Sequence, residues 1–410
     1  MNRTQQACRR VDQGTTARIE ALDVLRGVAL LGILVMNVQA FAMPYAAYLN
    51  PSAWGRLEGI DLAAWLISHL LADQKMMAIF SMLFGAGIVL FAERAEAAGR
   101  PTAMLHYRRN AWLLFFGAAH AYLVWYGDIL FTYAVCGMLL YPCRKMSPWS
   151  LLTSGVAMLA VTSALFLFFG WSMSFWSEAD LLAFQAEWQP PVEQLQSEIE
   201  RYRSGWWQQM PHRAELAFEA QTFTLLVWGL WRAAGMMLIG MGLYRLGVLT
   251  GLARPRVYLT LVGMGLVLGL PLVAYGVAWN FANDWGPLSM FYGFQFNYWG
   301  SVLVALGWVG GVMLVLRTQA WLGLRRRLAA VGRMAFSLYI LQSVLMSLIF
   351  YGHGLGMFGH IERSGQMLVV LGIWLLQLWL APLWLRHFRH GPLEWLWRSL
   401  TRGQRQPWRH

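Results

Sequence analysis

Apolar runs longer than about 18 residues recur along this chain, and a run of that length crosses a bilayer as a helix. They extend from Gly27 to the segment that ends before Gly391-Pro392. Of the 410 residues, 58% are hydrophobic and only 13% are charged, against roughly a quarter charged in a soluble domain. Inside lipid, backbone polar groups must be satisfied within a helix or a closed barrel. The unbroken length of the runs selects helices. The expected fold class is therefore all-α, a polytopic integral membrane helix bundle.

A net charge of +12 in a soluble protein points to nucleic acid, but here its placement decides otherwise. All but two of the 32 basic residues are arginine, Lys75 and Lys145 being the exceptions, and they gather at the ends of alternate apolar segments. That is the positive-inside pattern, so no nucleic-acid partner is expected and the lipid bilayer is. Cys8 lies in a basic tail, and Cys136 and Cys143 lie in one apolar run without metal-ligand spacing to the histidines.

Residues 1–20 read as a cytoplasmic basic tail, 21–390 as the transmembrane domain, and 391–410 as a cytoplasmic amphipathic segment whose apolar face (Trp395, Leu396, Leu400) lies on the inner leaflet. Gly27 to Met43 shares features with a signal peptide, including Ala40-Phe41-Ala42, but its length and Asn37 favour a retained helix. Two runs are too long for one span. Asp61 to Ala92 comes to roughly 46 Å as a straight helix, and Asp73-Gln74-Lys75 divides it into an interfacial helix over 61–72 and a span over 76–92. Asn110 to Cys143 is bounded by Arg108-Arg109 and Arg144-Lys145. Both of its ends belong on the basic side, so it predicts a hairpin of two spans folding at Tyr126-Gly127-Asp128.

Further spans are expected at 149–170, 222–243, 257–279, 298–316, 330–352 and 366–385, ten in all, with both termini cytoplasmic. This assignment puts 25 basic residues inside and five outside. An outer loop, 171–217, is acidic on balance and carries Trp206-Trp207 and Pro190-Pro191; it reads as a solvated cap or as a lid over an outward-facing site.

Ionisable groups within spans are costly and mark candidate sites. Asn37, His120, Asp128 and Lys75 fall in one outer depth band, with Arg232 just below. Asn37 alternatively bonds a neighbouring helix, Lys75 snorkels, and Asp128 caps the returning helix. Gly117, Ala118 and Ala119 beside His120 allow close helix approach or leave room for a ligand. Eight residues of helix rise about 12 Å, so a direct His120–Asp128 bond is not expected. Asp128 is instead expected to act through water or to pair with Lys75 or Arg232. At the inner face Asp23 and Arg26 are three apart on one helical face and suit an ion pair. Arg26, Arg108, Arg109 and Arg333 form a candidate pocket for a phosphorylated donor, since the guanidinium fork matches phosphate; anionic headgroups attract the same residues.

The stretches LDVLRGVALLGILVMN, KMMAIFSMLFGAGI, RRNAWLLFFGAAHAYLVWYGDIL, AAGMMLIGMGLYRLG, VGRMAFSLYILQS and GPLEWLWRSLT span nearly the whole chain. In order and spacing they resemble the YeiB-like membrane proteins, which carry domain of unknown function 418. GRMAFSLYILQS departs from that family, which more often has an Ala-Leu-Thr-Asn-Tyr run there. More distantly, the opening Asp23, Arg26, Gly27 and Asn37 resemble transmembrane acyltransferases, in which an Asn of this kind and an outer-loop His serve acyl transfer. Trp54 to Ile60 holds no His, so in that reading His120 takes its place.

Two functions follow as expectations. One is an acyltransferase of the bacterial inner membrane, moving an acyl group from cytoplasmic acyl-CoA, a co-substrate and not a bound cofactor, to a small-molecule or glycan acceptor. His120 is then the base, Asn37 the oxyanion or acceptor ligand, and Asp128 the residue that tunes the imidazole. The other is a small-solute transporter using the same groups as an intramembrane polar site. A bis-histidine haem is disfavoured, because His69 and His120 are poorly placed as a pair.

Overall fold

The computed structural model describes residues 19–410, and the tail expectation, with Cys8, lies almost wholly outside the described residues. Among those residues the chain is helical throughout, its β-structure limited to one bridge between Phe388 and Arg409. The helices are α1 (Glu20–Ala42), α2 (Tyr45–Leu49), α3 (Gly59–Leu71), α4 (Lys75–Ala97), α5 (Thr102–Leu123), α6 (Leu130–Leu140) and α7 (Pro148–Ser172). Then come α8 (Glu178–Trp188), α9 (Val192–Tyr202), α10 (Trp206–Glu219) and α11 (Leu230–Arg245). The last group is α12 (Pro255–Gly263), α13 (Leu270–Ala282), α14 (Phe294–Leu316), α15 (Leu322–Arg333), α16 (Ala335–Phe350), α17 (Arg363–His387) and α18 (Pro392–Arg402). Widened π turns at Ala220–Gly229, Met264–Gly269 and Ser289–Gly293 lead into α11, α13 and α14.

Among the described residues seven helical stretches are long and apolar enough to cross a membrane, or eight if the pair α15–α16, bent by 85°, counts as one span. The chain is a helical membrane protein. Each of the ten expected segments reappears as helix, but α5 and α6 fall outside the seven or eight. His106, Arg108 and Arg109 occupy the first turns of α5, and α6 has only 11 residues before a 3-10 turn at Tyr141–Lys145. The expected division of the first overlong run is present: Gln74 adopts φ 59° and separates α3 from α4.

Helix α1 is the centre of the bundle. Its apolar window is 72% buried, against 22% for α17 at the perimeter. Leu25, Ala29, Leu30 and Ile33 enter one core with Met76, Ile79 and Met82 of α4 and Val309 of α14. Near the other end of α1, Leu34, Val38 and Phe41 enter a second core with Trp125, Phe350 and Phe358. Helices α4 and α11 approach at backbone distance. A Cβ on Gly85 would lie 2.0 Å from the Met237 carbonyl oxygen, and one on Gly240 would lie 2.0 Å from that of Met82.

The end of the bundle where α1 begins also holds α15 and α18; we call it the basic end and the opposite one the cap end. The loop 171–217 folds into the cap helices α8, α9 and α10. Glu198 accepts from the Tyr45 amide (3.0 Å), Arg203 donates to the Phe358 carbonyl, and Tyr202 stacks on Phe358 at 4.4 Å. At the basic end α18 is tied to the bundle by residues other than Trp395, Leu396 and Leu400. Leu393 and Trp397 of α18 pack against the core, and the Glu394 carboxylate accepts the Phe336 (2.7 Å) and Ser337 (3.2 Å) amides that begin α16. Those amides have no partner within their own helix, so a carboxylate there caps it.

Candidate functional site

The site is built where the α5–α6 hairpin turns. Helix α5 ends as the amides of Val124 and Trp125 both close onto the His120 carbonyl (2.9 and 3.0 Å). Residues 124–129 leave the helix and fold back, as expected at Gly127, where a Cβ would strike the Trp125 ring at 2.4 Å. This return corrects the expectation that His120 and Asp128 lie too far apart to bond. His120 Nδ1 and Asp128 Oδ1 are 2.8 Å apart, both side chains buried. The 12 Å separation holds only for a continuous helix, and the helix stops after Leu123.

Asp128 also performs the alternative role read for it. Its Oδ2 accepts the Phe131 amide at 2.7 Å, in the first turn of α6. Gly117 lets the two strands of the hairpin meet, since a Cβ there would come 2.4 Å from the Phe131 nitrogen and 2.8 Å from Asp128 Oδ2. A carboxylate on Nδ1 fixes the neutral tautomer with its proton there, leaving the Nε2 lone pair as the basic atom. His120 Nε2 is buried and makes no hydrogen bond.

Other orphaned polar atoms lie along an aromatic path from this nitrogen to the cap. Trp125 Nε1, Tyr351 Oη and Tyr202 Oη are buried without partners. Ring centroids are separated by 6.5 Å for His120–Trp125, 4.1 Å for Trp125–Phe41, 6.2 Å for Phe41–Tyr351 and 5.0 Å for Tyr351–Tyr202. Buried polar groups are nearly always satisfied in native proteins, so such a group of exceptions asks for a ligand or water. The cap closes directly over it: Trp206 Nε1 (3.0 Å) and Arg213 Nη1 (2.9 Å) donate to the Leu123 carbonyl at the end of α5.

Asn37 lies on the stripe of α1 that carries Leu34, Val38 and Phe41, one turn from Phe41. It is half-buried, and its side-chain amide makes no hydrogen bond among the described residues. It makes no hydrogen bond to His120. Tyr339, which the sequence did not single out, stands 5.2 Å from the His120 ring and accepts the Ile129 amide at 3.4 Å.

Lys75 and Arg232 do not pair with Asp128, contrary to expectation. Lys75, fully buried, donates at 2.5 Å to the His69 carbonyl and at 2.5 Å to Asn297 Oδ1. Asn297 in turn donates to Asp73 (2.8 Å), which also meets His69 Nδ1 at 3.3 Å. Arg232 donates to the Tyr298 carbonyl and Ser301 Oγ, with its guanidinium 4.7 Å over the Tyr298 ring. The single expected pocket is thus two polar groups, one on the α5–α6 hairpin and one joining α3, α4, α11 and α14. His69, Asp73, Asn297 and Ser301 were missed as members of the second. Their common signal is a polar side chain in an apolar run; Asp73 and His69 are near Lys75 in sequence, whereas Asn297 and Ser301 meet Lys75 and Arg232 in space alone.

At the basic end Arg26 meets Asp23 at 3.1 Å, as the spacing predicts, and reaches the Gly332 carbonyl at 3.4 Å. Arg109 lies between Trp397 (4.5 Å) and Phe91 (5.1 Å), Arg108 rests against Gly403, and Arg333 reaches the Arg389 carbonyl at 3.4 Å. The four arginines therefore surround the junction of α15, α16 and α18.

Fold and site define a helical membrane protein with a buried histidine–aspartate pair under a helical cap. The model of the family described as "Protein of unknown function (DUF418)" matches residues 243–404. Over 93% of its length the chain is 33% identical to the uncharacterized protein YeiB of Escherichia coli, covering 95% of that protein. It is 32% identical to the uncharacterized protein YxaH of Bacillus subtilis, with 96% of each chain covered. The chain belongs to the YeiB-like DUF418 family.

Proposed function

We propose that the protein is a transmembrane acyltransferase of the bacterial cytoplasmic membrane, ten-spanning with both termini inside, and that His120 is its general base. The observation that carries this reading is the 2.8 Å His120–Asp128 pair with its free, buried Nε2 beneath the cap. An acyl-CoA docks its phosphates at Arg26, Arg108, Arg109 and Arg333, with Asp23 holding Arg26 in place. From Arg26 to Asn37 is eleven residues of helix, about 17 Å, which the flexible arm of the thioester bridges. His120 Nε2 takes the proton of an acceptor hydroxyl as its oxygen attacks the thioester carbonyl. The Asn37 amide donates to the oxyanion, the C–S bond breaks, and the proton passes to the departing CoA sulfur. Base catalysis of this kind contributes about 10²–10⁴ in rate.

The buried Lys75–Asn297–Asp73–His69 network favours a second reading, a transporter whose coupling site is that network. Purified protein given radiolabelled acyl-CoA and an acceptor-containing membrane extract tests the first. Transfer of label that is lost in His120→Ala supports it. Absence of CoA binding, with solute uptake into proteoliposomes, sinks it.

A further inference from the structure

An apolar groove of about 410 Å³ opens on the side of the bundle, between the start of α1 (Val24, Val28), α14 and α15. A second hollow of about 350 Å³ shares Leu71, Leu266 and Leu270 with it and extends it along α3 and α13. From Val304 to Leu316 the floor on α14 runs twelve residues, about 18 Å, comparable to one leaflet of a ~30 Å hydrocarbon core. The lining is apolar until the end near α15, where Arg325 enters it with Trp321 alongside. Arg325 Nη1 donates to the Thr318 carbonyl (2.8 Å) and Nη2 meets Glu20 at a long 3.5 Å, while Nε is buried without a partner. Arg326 and Arg327 follow it, exposed.

We propose that this groove seats an acyl chain of an anionic phospholipid whose phosphate lies against Arg325 and Arg326. The chain replaces lipid-facing packing that the bundle does not supply, and the guanidinium fork suits the phosphate. Trp321 marks the headgroup level, where tryptophans are enriched. A second copy of the protein does not fit the same face, because a two-fold contact there sets Arg325, Arg326 and Arg327 against their own copies. The site is separate from the histidine–aspartate pair and does not depend on the activity proposed for it.

Gly311 offers a direct test. A Cβ there meets nothing within 4 Å, although the residue lines the groove, so a tryptophan projects into the hollow without moving backbone. Gly263, equally open but outside the groove lining, is the control. The protein is incubated with an equimolar mixture of phosphatidylglycerol and phosphatidylcholine in detergent, and retained lipid is counted by native mass spectrometry. Wild type and Gly263→Trp are expected to retain phosphatidylglycerol in preference to phosphatidylcholine. Gly311→Trp is expected to lose the retained lipid, and Arg325→Gln to retain lipid without headgroup preference. Wild-type retention in Gly311→Trp, or an unchanged preference in Arg325→Gln, overturns the proposal. So does disulfide-linked dimer formation by Val315→Cys in place of lipid retention. If Gly311→Trp does not elute as a single species, Arg325→Gln decides the matter alone.

Discussion

Replacing Gly117 with alanine places a methyl group 2.4 Å from the Phe131 nitrogen and 2.8 Å from Asp128 Oδ2, where ordinary contact begins at 3.4 Å. Helices α5 and α6 must therefore part by about 1 Å, because interiors this dense do not absorb a new methyl group. Overpacking of this kind costs about 1–3 kcal/mol. The same displacement stretches the His120–Asp128 bond from 2.8 Å, forfeiting about 1.5–3 kcal/mol of a charge-assisted contact. Gly87→Ala is the matched control, since its Cβ meets nothing within 4 Å and alanine is the better helix former there. Both variants are followed by thermal unfolding in detergent and by ¹⁵N NMR of labelled histidine. The expected result is a lower unfolding temperature and an altered His120 signal for Gly117→Ala, with neither change in Gly87→Ala. Equal stability and an unchanged histidine signal in the two variants would show that close approach at Gly117 does not hold the pair together.

Lys75→Met leaves Asn297 Oδ1 and the Asp73 carboxylate without their buried cation; breaking a buried charge group this way costs about 3–5 kcal/mol, and a wild-type unfolding temperature would argue against the network. Glu394→Ala removes the acceptor for the Phe336 and Ser337 amides, a cap worth about 0.5–2 kcal/mol, and is expected to release α18 to limited proteolysis. Burial, the largest influence on it, raises the Glu394 carboxyl above its usual range. The proton-linked part of its contribution to stability is then full below the ordinary carboxyl pKa and is lost as pH rises through the raised one, while the carboxylate still accepts the two amides. Glu394→Gln is expected to flatten the pH dependence of unfolding in that window, and a profile parallel to wild type contradicts the assignment.

The hairpin at Gly127 was legible because charge flanks the run at both ends, and the split at Gln74 because polar residues interrupt it. The Asp23–Arg26 pair was legible from helical spacing. His120–Asp128 was not, since a sequence gives the rise of a helix but not where the chain abandons it, and the chain does so after Leu123. Lys75 and Asn297 are 222 positions apart, and no local period relates them. The C-terminal helix showed its amphipathic face plainly, but no local pattern showed that Glu394 on it reaches the first amides of α16, 58 and 57 positions away.

The central claim is that the lone pair on His120 Nε2 acts on an acceptor. It is tested most directly by following label from radiolabelled acyl-CoA to acceptor with wild type, His120→Ala and Asp128→Asn, at matched unfolding temperatures. The account predicts transfer by wild type, none by His120→Ala, and transfer reduced by about 10²-fold or more in Asp128→Asn. Transfer by His120→Ala at the wild-type rate contradicts it.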